Sequence, residues 1–128
     1  LLAPIALAVN SQGSVYVLHN AVDMKINAYS ASGAFQFRFA PQGQYPGQLL
    51  RPKGIAIDSD DNVYVVDAAF ANYQVFNSAG QLLMFVGKGG SAAGEFSLPS
   101  MIYIDNQDRI YVSEYAGHRI QVFQYLSE

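Results

Sequence analysis

The sequence predicts an all-β protein built from one repeated unit, and three observations support this fold class. The 128 residues contain a unit of about 47 residues that runs nearly three times from end to end. Short runs rich in Val, Ile, Tyr and Phe alternate with clusters of Gly, Asn, Asp, Ser and Pro, as in strands joined by tight turns. No stretch of the sequence carries apolar residues at helical spacing for long enough to predict a helix.

The first strand of each unit begins near a proline and ends in a polar turn. Pro4, Pro52 and Pro99 lie at equivalent positions, and each precedes an apolar run. The turns that follow are rich in Asp, Asn, Gly and Ser, which a hairpin between two strands requires. The second strand then contains a tyrosine between two β-branched residues, in the triplets Val15-Tyr16-Val17, Val63-Tyr64-Val65 and Ile110-Tyr111-Val112.

A third apolar run follows in every unit, and a fourth follows in the first two. Gly33 and Gly80 lie in the turns that open the fourth run, whereas the third unit ends before its fourth run. The predicted strands are residues 5–9, 14–18, 25–29 and 34–39 in the first unit, residues 54–58, 62–67, 72–77 and 81–86 in the second, and residues 101–105, 109–113 and 118–125 in the third.

Four antiparallel strands in each unit are the organisation of a β-propeller blade, in which the innermost strand lines the axis. Residues 52–58, 62–67 and 117–123 resemble NHL repeats, which usually form six-bladed β-propellers. The resemblance predicts an NHL-type partial ring of nearly three blades. The predicted ring is a single domain over residues 1–128. Blade 1 is expected at 1–47, blade 2 at 48–94 and blade 3, which lacks its fourth strand, at 95–128.

A row of three blades leaves two sheet faces and an outer edge unprotected, because blades bury their faces only against neighbouring blades. A six-bladed ring would need roughly twice this length. We therefore expect the chain to be the C-terminal half of a bacterial-type propeller, or a half-ring that another chain completes. Residues before Leu1 are expected to supply the missing fourth strand of blade 3. A symmetric dimer of half-rings is less favoured, because the sequence shows no self-complementarity.

Composition argues against several classes of partner. The net charge is −3 and the cations are scattered, whereas binding to a phosphate backbone requires clustered Lys and Arg, so no nucleic-acid partner is predicted. Cysteine is absent, which excludes disulfides, thiolate metal sites and covalent c-type haem attachment by this chain. Residues 1–9 are too short and too interrupted by proline to cross a bilayer, so no membrane insertion is predicted. The low charged fraction, 13%, predicts that much apolar surface meets other protein.

The sequence predicts no catalytic residue, no cofactor and no metal site. His19 and His118 lie at non-equivalent positions of two blades, and catalytic zinc usually needs three protein ligands. The two histidines could still join ligands from the absent half, as in the amidating lyase that has a related fold. Residues 58–62 resemble the start of a calcium loop, but they lack its glycine and its distal glutamate, so a hairpin turn is predicted. Residues 86–94 lack the Gly-Lys-Ser/Thr ending of a phosphate loop.

One end of the ring is the candidate partner-binding face. The loops after the second strand and the segments between blades emerge there, and binding residues collect in such loops. Aromatic residues mixed with isolated charges favour contact with a protein or a glycan over acid–base chemistry. The alternative is that Tyr73 and Arg119 are structural positions of the repeat. The candidate residues are Tyr45, Arg51, Lys53, Phe70, Tyr73, Lys88, Glu114, Tyr115, His118 and Arg119.

Two classes of function remain open. The favoured class is a non-enzymatic scaffold for protein–protein interaction or assembly, with an extracytoplasmic location in the periplasm or at the cell surface. Residues 120–126 resemble the C-termini of bacterial NHL proteins, some of which associate with multihaem cytochromes, and this implies a cytochrome complex as partner. The alternative is half of a metal-dependent lyase or hydrolase, with most of its active site in the missing half and a metal near His19 or His118.

Overall fold

The computed structural model describes residues 3–124 and confirms an all-β propeller fold made of antiparallel sheets. Its strands are β1 (Pro4–Val9), β2 (Val15–His19), β3 (Met24–Tyr29), β4 (Phe35–Pro41), β5 (Pro52–Ile57), β6 (Val63–Asp67), β7 (Asn72–Phe76), β8 (Leu82–Val86), β9 (Pro99–Ile104), β10 (Arg109–Glu114) and β11 (Arg119–Gln124).

Each repeat unit forms one sheet in which the strands pair in chain order. Strands β1–β4 form blade 1, strands β5–β8 form blade 2, and strands β9–β11 form blade 3. Blade 3 has three strands among residues 3–124, as the sequence predicts. The predicted end of its last strand, residue 125, lies outside the described residues.

The observed strand bounds differ from the predicted bounds by at most two residues. The innermost strands begin at Pro52 and Pro99, whereas the sequence placed their starts at 54 and 101. These prolines pair with Asp67 and Glu114 across the sheet. A proline is tolerated at the first position of a strand because no ladder hydrogen bond is required of its nitrogen there.

The core lies between neighbouring blades rather than inside any one sheet. Leu18 and Ile26 of blade 1 pack against Val65 of blade 2 in one buried cluster. Val66 of blade 2 and Val112 of blade 3 belong to the second cluster. Each blade is therefore stabilised mainly by its neighbours, as in other repeat proteins.

Two connecting segments join the blades, and each inserts one large apolar side chain into the core. The first connecting segment, residues 42–51, buries Leu49, and the second, residues 87–98, buries Phe96. Each segment closes on itself through a parallel bridge, Gln42 to Leu49 in the first and Gly89 to Phe96 in the second.

The acidic stretch at residues 58–62 is a hairpin turn, as predicted. Asp58 Oδ1 accepts hydrogen bonds from the backbone nitrogens of Asp60 and Asn62, each at 2.9 Å. Asp105 forms the same turn in blade 3. These bonds use the carboxylate to shape the turn.

The repeated tyrosines of the second strands have structural roles, and each hydroxyl donates a hydrogen bond. The hydroxyl of Tyr16 donates to the carbonyl oxygen of Ser78 in the next blade at 2.9 Å. The hydroxyls of Tyr64 and Tyr111 donate to Asp58 and Asp105 of their own blades. Tyr16 and Tyr64 belong to the two inter-blade cores.

The outward faces of blades 1 and 3 are apolar and exposed. In blade 1, Leu7 is 62% exposed, whereas its counterpart Ile55 in blade 2 is buried against blade 1. In blade 3, Ile120 and Val122 are exposed, whereas their counterpart positions Tyr73 and Val75 in blade 2 are buried. These two faces thus have the apolar character of the faces that other blades cover.

The part of the chain that the structure describes has no helix that is both long and apolar enough to cross a membrane.

Candidate functional site

An apolar groove with a cationic rim lies between blades 2 and 3, at the end of the ring where the connecting segments run. Its volume is about 560 Å³. We call it the Arg51 groove and define it by its lining residues, which are Leu50, Arg51, Lys53, Ala68, Ala69, Leu98, Pro99, Ser100 and Tyr115. It brings together three of the ten candidate face residues, Arg51, Lys53 and Tyr115.

The backbone of Arg51 is fixed by a buried carboxylate at the end of strand β6. Asp67 Oδ2 accepts hydrogen bonds from the backbone nitrogens of Leu50 and Arg51, at 2.8 and 3.2 Å. Asp67 Oδ1 accepts two more from Ala69 and Phe70. One side chain therefore anchors both the first connecting segment and the loop after β6, and these form one wall of the groove.

The opposite wall of the groove comes from blade 3. The backbone nitrogen of Tyr115 donates to the carbonyl oxygen of Leu98 at 2.9 Å, which ties the loop after β10 to the second connecting segment. The Tyr115 side chain is 76% exposed, and Leu98 is exposed beside it. This wall presents apolar surface to the solvent.

The two cations of the rim are exposed and have no carboxylate partner among residues 3–124. The ion pairs in this part of the chain join Arg38 to Asp23, Lys88 to Glu95, Arg109 to Asp105 and Arg119 to Glu114. Arg51 and Lys53 belong to none of these pairs. The groove therefore presents positive charge above an apolar floor, although the whole chain is acidic.

A smaller aromatic cleft lies on blade 2 and holds two further candidate residues. Its volume is about 230 Å³. Tyr45 and Phe70 line it together with Phe85 and the buried residues Asn72 and Gln74. Tyr45 is exposed, so this cleft continues the aromatic surface of the same end of the ring.

The prediction that Tyr73 lies on the partner-binding face is wrong. Tyr73 is 2% exposed and packs against Phe96 and Phe123 in the core between blades 2 and 3. Burial raises the pKa of Tyr73 to about 12. The residue is a structural position of the repeat, as the alternative interpretation stated.

The prediction that Glu114 lies on the partner-binding face is also wrong, because Glu114 is buried. Arg119 is partly exposed, and its guanidinium bonds to Glu114 and to the backbone. Arg119 Nε donates to Glu114 Oε2 at 2.5 Å, and its other nitrogens donate to the carbonyl oxygens of Ser91, Ala92 and Glu95. Burial raises the pKa of Glu114, but hydrogen bonds, chiefly from Arg119, outweigh burial and leave that pKa below its ordinary value.

The two remaining candidate residues lie apart from both clefts. Lys88 is exposed and pairs with Glu95 at 3.6 Å within the second connecting segment. His118 is exposed in the turn after β10, with a backbone φ of 52°. Neither residue lines the Arg51 groove or the aromatic cleft.

His19 and His118 do not form a metal site within the described chain. His19 is buried at the end of β2, whereas His118 is exposed in blade 3. Residues 3–124 contain no group of three or more His, Asp or Glu side chains that could hold a metal ion.

Sequence reasoning missed how the groove is built. The equivalence of His19, Asp67 and Glu114 was visible, but it did not show that Asp67 and Glu114 accept backbone hydrogen bonds from the connecting segments. Pro52 and Pro99 begin neighbouring inner strands, so their positions in the sequence were a signal for where the two walls of the groove lie.

Residues 96–123 match the NHL repeat family. No curated protein matches the sequence. The similar solved structures include a gluconolactonase from Xanthomonas campestris, which is 23% identical with a TM-score of 0.62 over 88% of this chain and 35% of its own chain. The virginiamycin B lyase of Staphylococcus aureus is 14% identical with a TM-score of 0.64, over 98% of this chain and 42% of its own.

Hydrazine synthase of Kuenenia stuttgartiensis is a third similar structure, 15% identical with a TM-score of 0.62 over 94% of this chain and 35% of its own. The chain thus spans less than half the length of these solved chains. At such low identity the similarity shows the fold alone, because one scaffold carries many unrelated activities.

Proposed function

The chain is built from NHL-type β-propeller blades, and on this basis we propose that it is a non-enzymatic scaffold that binds an acidic segment of a partner protein in the Arg51 groove. The observation that carries the proposal is the position of Arg51 and Lys53, which have no carboxylate partner among residues 3–124, beside an apolar floor and the exposed Tyr115.

This combination of side chains suits protein recognition. Arg and Tyr are enriched among the interface residues that contribute most of the binding energy, and Tyr115 offers a large rigid surface. An acidic partner gains from Arg51 and Lys53 without breaking any ion pair of the described chain. Electrostatic complementarity of this kind chiefly sets partner choice and the rate of association.

Four perturbed side chains have pKa values that move away from neutral pH, which does not favour acid–base chemistry by these groups. Burial is the main cause that raises the pKa values of Tyr64 and Tyr73. The pKa values of Asp61 and Asp105 lie below their ordinary values because of hydrogen bonds. Catalytic acids and bases usually have pKa values shifted toward the working pH.

An extracytoplasmic location and a partner in a multihaem cytochrome complex belong to the same proposal. The location rests on the low charge and on the composition rich in Ala, Gln, Ser and Tyr, and the cytochrome partner rests on the resemblance of residues 120–126 to the C-termini of bacterial NHL proteins. The alternative function is a metal-dependent lyase or hydrolase. It is suggested by the similar structures that are named as enzymes, a gluconolactonase and a virginiamycin B lyase. Metal analysis of the purified native particle separates the two, because the enzyme requires a stoichiometric metal ion.

The scaffold proposal is tested by the binding of two labelled pentapeptides, Asp-Glu-Phe-Glu-Asp and Lys-Arg-Phe-Arg-Lys. We expect the acidic peptide to bind and the basic peptide not to bind, with an affinity that falls as salt rises. Arg51→Glu should lower the affinity for the acidic peptide by about 10-fold or more. Arg38→Glu is the control, because it changes the net charge by the same amount and Arg38 is an exposed cation of blade 1 that does not line the groove.

Two results would contradict the proposal. One is equal binding of the acidic and the basic peptide to the unmodified chain. The other is an equal loss of affinity in Arg51→Glu and Arg38→Glu, since this would indicate only a general effect of net charge.

A further inference from the structure

Blade 3 fills the space beside the second connecting segment with one of its own cations. The guanidinium of Arg119 donates to the carbonyl oxygens of Ser91, Ala92 and Glu95, and its Nε atom donates to Glu114. A single side chain of the blade thus supplies the donors that these oxygens need.

Blade 2 leaves the corresponding space open. Asn72 is the counterpart of Arg119, and this shorter side chain lines the aromatic cleft. Gln44 and Tyr45 also line the cleft and correspond to Ser91 and Ala92, whose carbonyl oxygens bind Arg119 in blade 3. The cleft of blade 2 therefore occupies the place that the guanidinium fills in blade 3.

The Asn72 side chain lacks the hydrogen bond that its burial calls for. It is 8% exposed, and its Oδ1 atom has no hydrogen-bond partner among residues 3–124. Every residue that lines the cleft lies between positions 44 and 87, well inside the described range. Buried polar atoms are rarely left unpaired in folded proteins, so this acceptor marks a place for a donor from outside the chain.

The walls of the cleft carry aromatic rings where blade 3 has small residues. Tyr45 corresponds to Ala92, and Phe70 corresponds to Gly117. Phe85 is a third ring in the lining, and both Tyr45 and Phe85 are exposed. Blade 2 thus combines the loss of an internal cation with the gain of flat apolar surface at the same place.

The lining favours a neutral ligand. No charged side chain of the described residues lines the cleft, so a buried charge would lose hydration without gaining an opposite charge. Small-molecule sites typically combine apolar and aromatic walls with a few polar groups that fix the orientation of the ligand. The ligand that fits has an apolar face for the rings and hydroxyl donors for Asn72.

We propose that the aromatic cleft binds one neutral pyranose ring, supplied by a free sugar or by the end of a glycan. The C–H face of the ring packs against Tyr45 and Phe85, and one hydroxyl donates to Asn72 Oδ1. Drug-sized ligands occupy sites of about 300–1,000 Å³, so a cleft of about 230 Å³ suits a single sugar ring. The proposal goes beyond the scaffold function and does not depend on the Arg51 groove.

The test titrates the chain with the neutral methyl pyranosides of glucose, galactose and mannose, and follows the NMR shifts of the Asn72 side-chain amide. We expect saturable shifts with at least one pyranoside, with a dissociation constant of about 1–10 mM, because so small a ligand makes few contacts. Sorbitol is the ligand control, because it has hydroxyls but no ring face, and it should bind about 5-fold more weakly or worse.

A trisaccharide of the sugar that binds separates the two sources of the ring. Tighter binding of the trisaccharide supports the end of a glycan as the ligand. Equal binding of the trisaccharide and the methyl pyranoside supports a free sugar.

Two substitutions restore the residues of blade 3. Asn72→Arg should fill the cleft and lower the affinity by about 10-fold or more, with the backbone amide of Gly87 as the readout. Tyr45→Ala should lower the affinity by about 5-fold. Tyr115→Ala is the matched control, because Tyr115 is as exposed as Tyr45 but lines the Arg51 groove, and it should leave the affinity for the sugar unchanged.

Three results would overturn the proposal. They are the absence of saturable shifts with all three pyranosides, equal binding of sorbitol, and unchanged affinity in Tyr45→Ala. The last measurement decides the matter even if Asn72→Arg does not fold, because Tyr45 is an exposed side chain. Binding of the acidic peptide to the same samples reports on the Arg51 groove separately.

Discussion

One position of the repeat shows how strongly context determines the contribution of a single residue. Lys25, Asn72 and Arg119 are equivalent, yet only Arg119 bonds to a carboxylate and to three backbone carbonyl oxygens. Lys25 is 1% exposed, and its Nζ atom donates to Gln42 Oε1 at 3.0 Å. A buried ammonium with one neutral acceptor recovers little of its desolvation cost.

We predict opposite outcomes when this position is made apolar in two blades. Lys25→Met should change the free energy of unfolding by less than about 1 kcal/mol, or stabilise the chain, because it removes the desolvation cost. Arg119→Met should destabilise by about 3 kcal/mol, because it leaves Glu114 buried without its cation. Urea unfolding of both variants checks the comparison. A larger loss in Lys25→Met than in Arg119→Met would contradict the electrostatic account.

Acid should weaken the fold through the turn of blade 3. Burial raises the pKa of Asp105, but hydrogen bonds, chiefly from Arg109, outweigh burial and lower that pKa from 3.8 to about 2. A carboxyl whose pKa is lowered by folding contributes stability above its ordinary pKa, and this stability is lost as pH falls toward the folded pKa. Asp105→Asn should therefore flatten the dependence of unfolding free energy on pH between about 4 and 2.

Denaturant unfolding at several pH values measures this slope. Asp60→Asn is the control, because the Asp60 carboxylate accepts no hydrogen bond from a described residue. If the two variants have the same slope as the unmodified chain, Asp105 does not contribute as described.

Among the elements of the fold, the second connecting segment needs glycine where the backbone meets the core. Gly87 has a φ of 107°, and a Cβ atom there would lie 2.5 Å from the Phe96 ring. Gly33 has a φ of 90° with open space around it. A side chain at Gly87 would cause both steric overlap and backbone strain, whereas a side chain at Gly33 would cause backbone strain alone.

We predict that Gly87→Ala destabilises the chain more than Gly33→Ala does. Both substitutions strain the backbone, but only the first forces Phe96 to move, and overpacking of this kind typically costs about 1–3 kcal/mol more. Thermal unfolding of the two variants measures the difference. Equal losses in the two variants would show that Phe96 adapts freely.

The strands could be predicted from sequence to within two residues, because their pattern and the turn residues are local signals. The candidate face was predicted less well. Arg51, Lys53 and Tyr115 do line one groove, but Tyr73 is buried and Glu114 pairs with Arg119. Tyr73 is covered by blade 3, and the spacing within one unit does not reveal which face of a strand the next blade covers. The Glu114–Arg119 pair lies within blade 3 and ties that blade to the second connecting segment.

For the whole molecule, we expect the outward faces of blades 1 and 3 to be interfaces. Leu7 and Phe35 are exposed on one face, and Ile120 and Val122 on the other, although the matching faces of blade 2 are covered. Exposed apolar patches of this kind mark sites of protein contact. The faces are related by the repeat, so each resembles one side of an existing blade interface.

Light scattering of the purified chain as a function of concentration measures whether these faces associate. We predict particles larger than one chain, and a return toward the mass of one chain in the double variant Leu7→Lys with Val122→Lys, because charges on both faces oppose contact. Gln36→Lys with Gln81→Lys is the matched control, because both glutamines are exposed polar residues. A cooperatively folded particle with the mass of one chain, unchanged up to about 100 μM, would contradict the claim.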